Sequence, residues 1–135
     1  MKILLDINVI LDVLLDREPW SNAASSLLSA IESEIAEGFI AAHTLPTIYY
    51  VMAQSNDRTT AAAAVTDLLR LLQVVPAVNS DFQQALGLSI PDFEDAVQVT
   101  AALKISADYL VTRNEKDFRG APVPVADPPT ALALL

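Results

Sequence analysis

The chain predicts an α/β fold, a three-layer α/β/α sandwich around a central, mainly parallel sheet, with residues 1–135 forming one domain. Three observations carry that expectation. Short continuous apolar runs alternate with stretches of three- and four-residue apolar periodicity, the pattern of buried parallel strands joined by amphipathic helices. Of the 135 residues, 53% are hydrophobic, enough for one well-buried core. Neither an internal repeat nor a linker divides the sequence.

Residues 2–5 form a short apolar run that ends in Asp6 and feeds a helix through Val9, Ile10, Val13 and Leu14. A second helix carries Trp20, Ala23, Ala24, Leu27, Leu28, Ile31 and Ile35, with Gly38 placed to stop it. Phe39 to Ala42 reads as a strand. Thr44 is the expected N-cap of a helix bearing Ile48, Val51 and Met52, with Pro46 in its first turn. Residues 54–57 break that helix, and residues 59–73 form the next. Val74 to Pro76 is a short strand, and Ser80 caps a short helix that ends near Gly87. A further helix starts at Asp92, and Tyr109 to Val111 is an apolar strand ending at Thr112. Pro122, Pro124, Pro128 and Pro129 make the remainder irregular, with an edge strand at Val123–Val125 and a helix from Thr130.

Composition excludes several kinds of function. Zero cysteines leave no disulfide framework, no thiolate nucleophile and no cysteine zinc site, and a single histidine rules out a histidine-rich metal centre. Gly38, Gly87 and Gly120 stand too far apart for a phosphate-cradling loop. The net charge of −9 argues against a broadly basic nucleic-acid surface, so phosphate chemistry here needs metal ions. Lys104, Arg113, Lys116 and Arg119 are half of the eight basic residues, and residues 104–119 are therefore the candidate polyanion-facing patch. No apolar run is long enough to cross a bilayer and Asp6 interrupts the opening apolar residues, so a cytoplasmic protein without membrane contact is expected.

In parallel sheets ligands gather outside the carboxyl ends of the strands. Three polar clusters fall at such ends or helix starts: Asp6-Ile7-Asn8, Asp92-Phe93-Glu94-Asp95 and Thr112-Arg113-Asn114-Glu115-Lys116-Asp117. Brought together, these carboxylates would repel unless a divalent cation were bound, and oxygen-only ligation suits Mg²⁺ or Mn²⁺. Structural explanations compete with that one. Asp92 and Asp95 have the spacing of an N-cap and an acid at the third helical position, Asn114 and Asp117 fit a turn, and Asp6 fits a helix cap. His43 reads as structural or solvated, and Tyr49 and Tyr50 read as core or dimer packing.

Two blocks, "LLDINVILDVLLDREPW" near the start and "PDFEDAVQVTAALKISADYLVTRNEKDF" later, resemble the PIN-domain family of metal-dependent nucleases, from Lys2 to Phe118. The resemblance implies an acidic pocket that binds Mg²⁺ or Mn²⁺ and hydrolyses RNA phosphodiesters, in a homodimer and as the toxin of a toxin–antitoxin pair. It matches Asp6 to the first family acid, Asp95 to the acid opening the later helix, and Asp117 or Asn114 to the position after the "VTRN" strand. Asp92 is an added neighbour, while Asn8 and Thr112 match flanking polar positions that orient ligands. Arg113, Lys116 and Arg119 would position the RNA strand.

Two departures from the family pattern bear on activity. Thr47 stands where the family has a glutamate, and Ile7 stands where it has Thr or Ser. Asp12 is the candidate substitute for the missing acid. A PIN-fold binding or regulatory domain that does not cleave is the alternative, and the absent glutamate is its main argument. A receiver-like phosphoacceptor fits less well, because the acids are not paired after the first strand and the lysine that chemistry places at the end of a later strand is not within "VTRN" itself.

Overall fold

The computed structural model describes residues 1–135. Along the chain run β1 (Lys2–Leu5), α1 (Ile7–Leu14), α2 (Ser21–Glu32), β2 (Glu37–Ala41), α3 (Thr44–Ser55) and α4 (Arg58–Leu71). Then follow β3 (Gln73–Val75), α5 (Asn79–Leu86), α6 (Phe93–Lys104), β4 (Tyr109–Val111), a 3₁₀ turn (Glu115–Phe118), β5 (Val125–Ala126) and α7 (Pro128–Ala133). All five strands are parallel, in the order β3-β2-β1-β4-β5.

Alternate strand residues face opposite layers. Ile3, Leu5 and Ile40 pack beneath α1, α2, α3 and α4, whereas Leu4, Phe39 and Leu110 pack beneath α5 and α6. Three layers result, with Ile3, Leu4 and Leu5 of β1 fully covered. From β1 the chain builds outward through β2 and β3, then crosses back to add β4 and β5 on the other flank. The carboxyl ends of β1 and β4 therefore border the crevice where the winding direction reverses, and open parallel sheets bind ligands there.

The elements agree with the periodicity of the sequence, and the differences lie at their ends. Gly38 does not stop α2, which ends at Glu32 with Glu34 in the left-handed region (φ 60°). Gly38 lies instead within β2, where a Cβ would stand 2.6 Å from Leu72 Cδ2 and 2.7 Å from Ile31 Cδ1, so the close approach of two helices explains the glycine. Thr44 is the first residue of α3 rather than its cap, and its hydroxyl is buried without a partner. Ser80 lies inside α5, where Asp81 reaches back to accept from the Val78 N–H at 2.8 Å. The last strand is displaced to Val125–Ala126, and α7 begins two residues before Thr130 because Asp127 caps it by accepting from the Thr130 N–H. No helix is long and apolar enough to cross a membrane.

Candidate functional site

Asp6 follows β1 and occupies the N-cap position of α1, yet its carboxylate makes no capping bond to that helix. It is 3% exposed. Its Oδ1 accepts from Gln98 Nε2 at 2.9 Å and its Oδ2 accepts from the Thr112 hydroxyl at 2.8 Å. The Thr112 hydroxyl in turn accepts from the Asn114 N–H at 3.0 Å, tying the loop after β4 to the carboxylate after β1. The helix-cap explanation of Asp6 is thus set aside by geometry. Both donors to this buried carboxylate are neutral, and no cation is paired with it.

The opening of α6 divides its labour between two acids. Asp92 is the cap, with its Oδ1 accepting from the Asp95 N–H at 3.0 Å. Asp95 is half-buried, and its carboxyl is pushed up to about 6, first by burial and then by the charges of Asp92, Asp6, Asp117 and Glu94. One acid from each of the three clusters therefore shares a single electrostatic field. Asp117 is exposed on the 3₁₀ turn, Asn114 precedes that turn and is half-buried, and Asn8 is half-buried in the first turn of α1. Lys116 and Arg119 are exposed beside Asp117.

Two basic residues of the expected patch are engaged elsewhere. Arg113 Nε donates to Asp12 Oδ2 at 2.8 Å, and its guanidinium lies 4.0 Å over the centre of the Trp20 ring. Lys104 Nζ donates to the Pro76 carbonyl at 2.9 Å and to Asp81 at 2.8 Å. Arg113 thus clamps the loop after β4 to α1. Asp12 does not substitute for the missing acid either: it is 1% exposed and balanced by Arg113 and by Arg17 at 3.6 Å. Thr47 donates its hydroxyl to the His43 carbonyl at 3.1 Å.

The donor set fits a hard divalent cation in kind, since its charged groups are carboxylates and the buried Gln98 Oε1 beside Asp6 has no partner. It is not closed, for no three His, Asp or Glu side chains gather into a ready-made metal centre. A surface hollow of about 830 Å³ lies elsewhere, at the amino-terminal end of β2 among Glu32, Glu34, Asp67 and Arg70.

Gln98, which donates to Asp6, is the residue that the sequence reading passed over, and His43 was read there as structural or solvated. Gln98 sits in a helical apolar pattern with nothing to mark its contact with Asp6. His43 is half-buried and lies in the field of Glu94 and Asp6, and burial holds its pKa below the usual histidine value. The strand reading of residues 39–42 did contain a signal, because it put His43 at a strand's carboxyl end.

Comparison with known proteins supports the architecture. The VapBC complex of Salmonella typhimurium, solved bound to DNA, contains a chain that matches with a TM-score of 0.71 at 17% identity, covering 95% of this chain and 98% of that one. A chain of VapBC-1 from nontypeable Haemophilus influenzae matches with a TM-score of 0.68 at 16% identity, over 96% and 99% of the two chains. VapC20 of Mycobacterium tuberculosis, a toxin that cleaves the sarcin–ricin loop, gives 0.66 at 15% identity over 80% and 86%. At these identities the likeness concerns the fold. No curated protein sequence matches the chain. The PIN-domain sequence profile matches residues 2–116, and with that span covered the chain belongs to the PIN-domain family.

Proposed function

We propose that this protein is a metal-dependent endoribonuclease that hydrolyses RNA phosphodiester bonds, the toxin of a toxin–antitoxin pair. The observation that carries the reading is that Asp6, Asp95 and Asp117, three acids from distant parts of the chain, share one field at the carboxyl edge of the sheet, where burial first and then the charges of Asp92, Asp6, Asp117 and Glu94 push the Asp95 carboxyl up to about 6. Bound Mg²⁺ or Mn²⁺ would stabilise the charge developing on the phosphate and activate the attacking water.

The chain's own residues do the rest. Asp6, Asp95 and Asp117 hold the cation with Asn114, and Asp92 keeps the start of α6 in place. Gln98 and Thr112 fix the Asp6 carboxylate through its two oxygens, so its orientation is set before any ligand arrives. Asn8 flanks the pocket. Lys116 and Arg119, both exposed, position the strand through its phosphates.

An antitoxin partner is the proposed protein partner, a reading supported by the likeness in fold to chains of the VapBC structures. A homodimer is the proposed assembly, with exposed Tyr49 and Tyr50 on α3 as its contact; Trp20 is occupied by Arg113. A cytoplasmic location suits a cysteine-free chain. The alternative, a PIN-fold binding domain that does not cleave, draws on Thr47 and on the open arrangement of the acids.

The test is cleavage of end-labelled single-stranded RNA with Mg²⁺, Mn²⁺ or EDTA. The nuclease reading expects cleavage only with a divalent ion, and its loss in Asp95→Asn. RNA retention without cleavage under every condition would favour the binding domain.

A further inference from the structure

Trp20 is the only tryptophan in the chain, and 41% of it remains exposed. Its backbone is fixed where α2 begins: its N–H donates to the Arg17 carbonyl at 3.1 Å and its carbonyl accepts from the Ala24 N–H at 3.2 Å. The ring is held as well. Arg113 lies 4.0 Å over its centre, and that guanidinium is itself pinned, because it donates to both oxygens of Asp12 at 2.8 and 3.3 Å. Arg17 shares the same carboxylate at 3.6 Å and is the more exposed of the two arginines, while the neighbouring Glu18 accepts from the Ser21 hydroxyl. A short path joins this cluster to the acidic pocket. Arg113 directly follows Thr112, so their Cα atoms are about 3.8 Å apart, and the Thr112 hydroxyl donates to Asp6 at 2.8 Å. The ion pair with Asp12 suffices to fasten the loop after β4, and it does not account for a large aromatic ring left in solvent beside it.

We propose that Trp20 is a stacking platform for an unpaired base of the RNA strand, on a nucleotide flanking the phosphate that reacts, with Arg17 beside it for the strand's backbone. The inference rests on the pocket acting on RNA. Single strands offer open base faces to aromatic rings and guanidinium planes, whereas pairing into a duplex hides those faces. A ring already held by a cation loses little freedom when a base stacks on it. Contacts of Lys116 and Arg119 with phosphates would position a strand without distinguishing paired from unpaired segments, and Trp20 supplies that distinction.

Because the chain has one tryptophan, its fluorescence reports on this ring alone. Asp95→Asn, in which the nuclease reading expects no cleavage, is titrated in Mg²⁺ with oligoadenylate RNA. Fluorescence should be quenched to saturation by the single strand, and neither by the same strand annealed to oligouridylate nor by inorganic polyphosphate. In the same background Trp20→Leu should weaken binding of labelled oligoadenylate about tenfold, and Trp20→Phe, which keeps an aromatic ring, should retain most of the affinity. Binding that leaves the fluorescence unchanged and is equal in Trp20→Leu overturns the inference, while RNA cleavage by the wild type keeps the nuclease reading. Quenching by polyphosphate or by the duplex marks an effect of charge at the arginines and overturns it too. A fluorescence change on diluting the protein without RNA assigns the ring to contact with a second copy, with the same consequence. If oligoadenylate does not bind, the inference falls, and if the wild type also fails to cleave RNA, both readings fall. The fluorescence of the unaltered Trp20 decides even if Trp20→Leu weakens the fold.

Discussion

Asp6 and Asp12 lie at the two ends of one short helix, both almost wholly removed from solvent, and they are compensated in opposite ways. Asp12 meets two guanidiniums, Arg113 at 2.8 Å and Arg17 at 3.6 Å, and Trp20 stacks on the first of them. Asp6 meets an amide and a hydroxyl and no cation at all. The first arrangement is complete within the chain and serves to fasten the loop after β4 onto α1. The second stabilises the orientation of a carboxylate while leaving its charge unbalanced, which is what a cation-binding group requires.

The comparison breaks most decisively at Asp12. Asp12→Ala strands two guanidiniums beside an emptied site and should destabilise the fold by about 2 kcal/mol, below the fully buried range because both arginines keep part of their hydration. Urea unfolding monitored by circular dichroism measures it, and the loss should be the same with and without Mn²⁺.

Asp6→Asn should do the reverse. Metal-free stability should change little, since the amide keeps the shape of the group, but the gain on adding Mn²⁺ should disappear. That gain is about 2.7 kcal/mol at a hundredfold excess over the dissociation constant. A variant that keeps the full Mn²⁺ shift in melting temperature would show that Asp6 is as structural as Asp12.

Asp95 sharpens the contrast through pH. Its folded-state pKa of about 6 lies above the ordinary value of 3.8, so between those values the folded chain holds a proton that the unfolded chain has lost. Its contribution to stability therefore declines as pH rises from about 4 to about 6 and is least favourable above that window. In EDTA, Asp95→Asn should be more stable than wild type at pH 7 by about 1 kcal/mol, after allowing for solvent screening at a half-exposed position, and the difference should vanish near pH 4. Equal melting temperatures at both pH values would remove the repulsion argument.

Trp20→Leu tests the outer edge of the Asp12 cluster. Removing the ring beneath Arg113 should cost about 0.5–1 kcal/mol, seen as a small drop in melting temperature, with Mn²⁺ binding unaffected.

The alternation of strands and helices was legible along the chain because each element advertises itself by local periodicity, and β1, β2, β4 and α6 all lie where that periodicity puts them. Asp6, Asp95 and Asp117, the acids of the proposed site, were picked out for a related reason, since strand ends and helix starts are marked by neighbouring residues. Element ends were harder: Gly38 looks like a helix stop in sequence, while its real constraint comes from Leu72 and Ile31.

Which carboxylate receives a cation was decided only by tertiary structure. Asp12 and Arg113 are 101 residues apart, Asp6 and Gln98 are 92 apart, and Asp6 and Thr112 are 106 apart. Local pattern records how a segment folds and carries almost nothing about partners a hundred residues away. The packing of α6 and the loop after β4 against the ends of β1 and α1 therefore assigned Arg113 to Asp12 and Gln98 to Asp6.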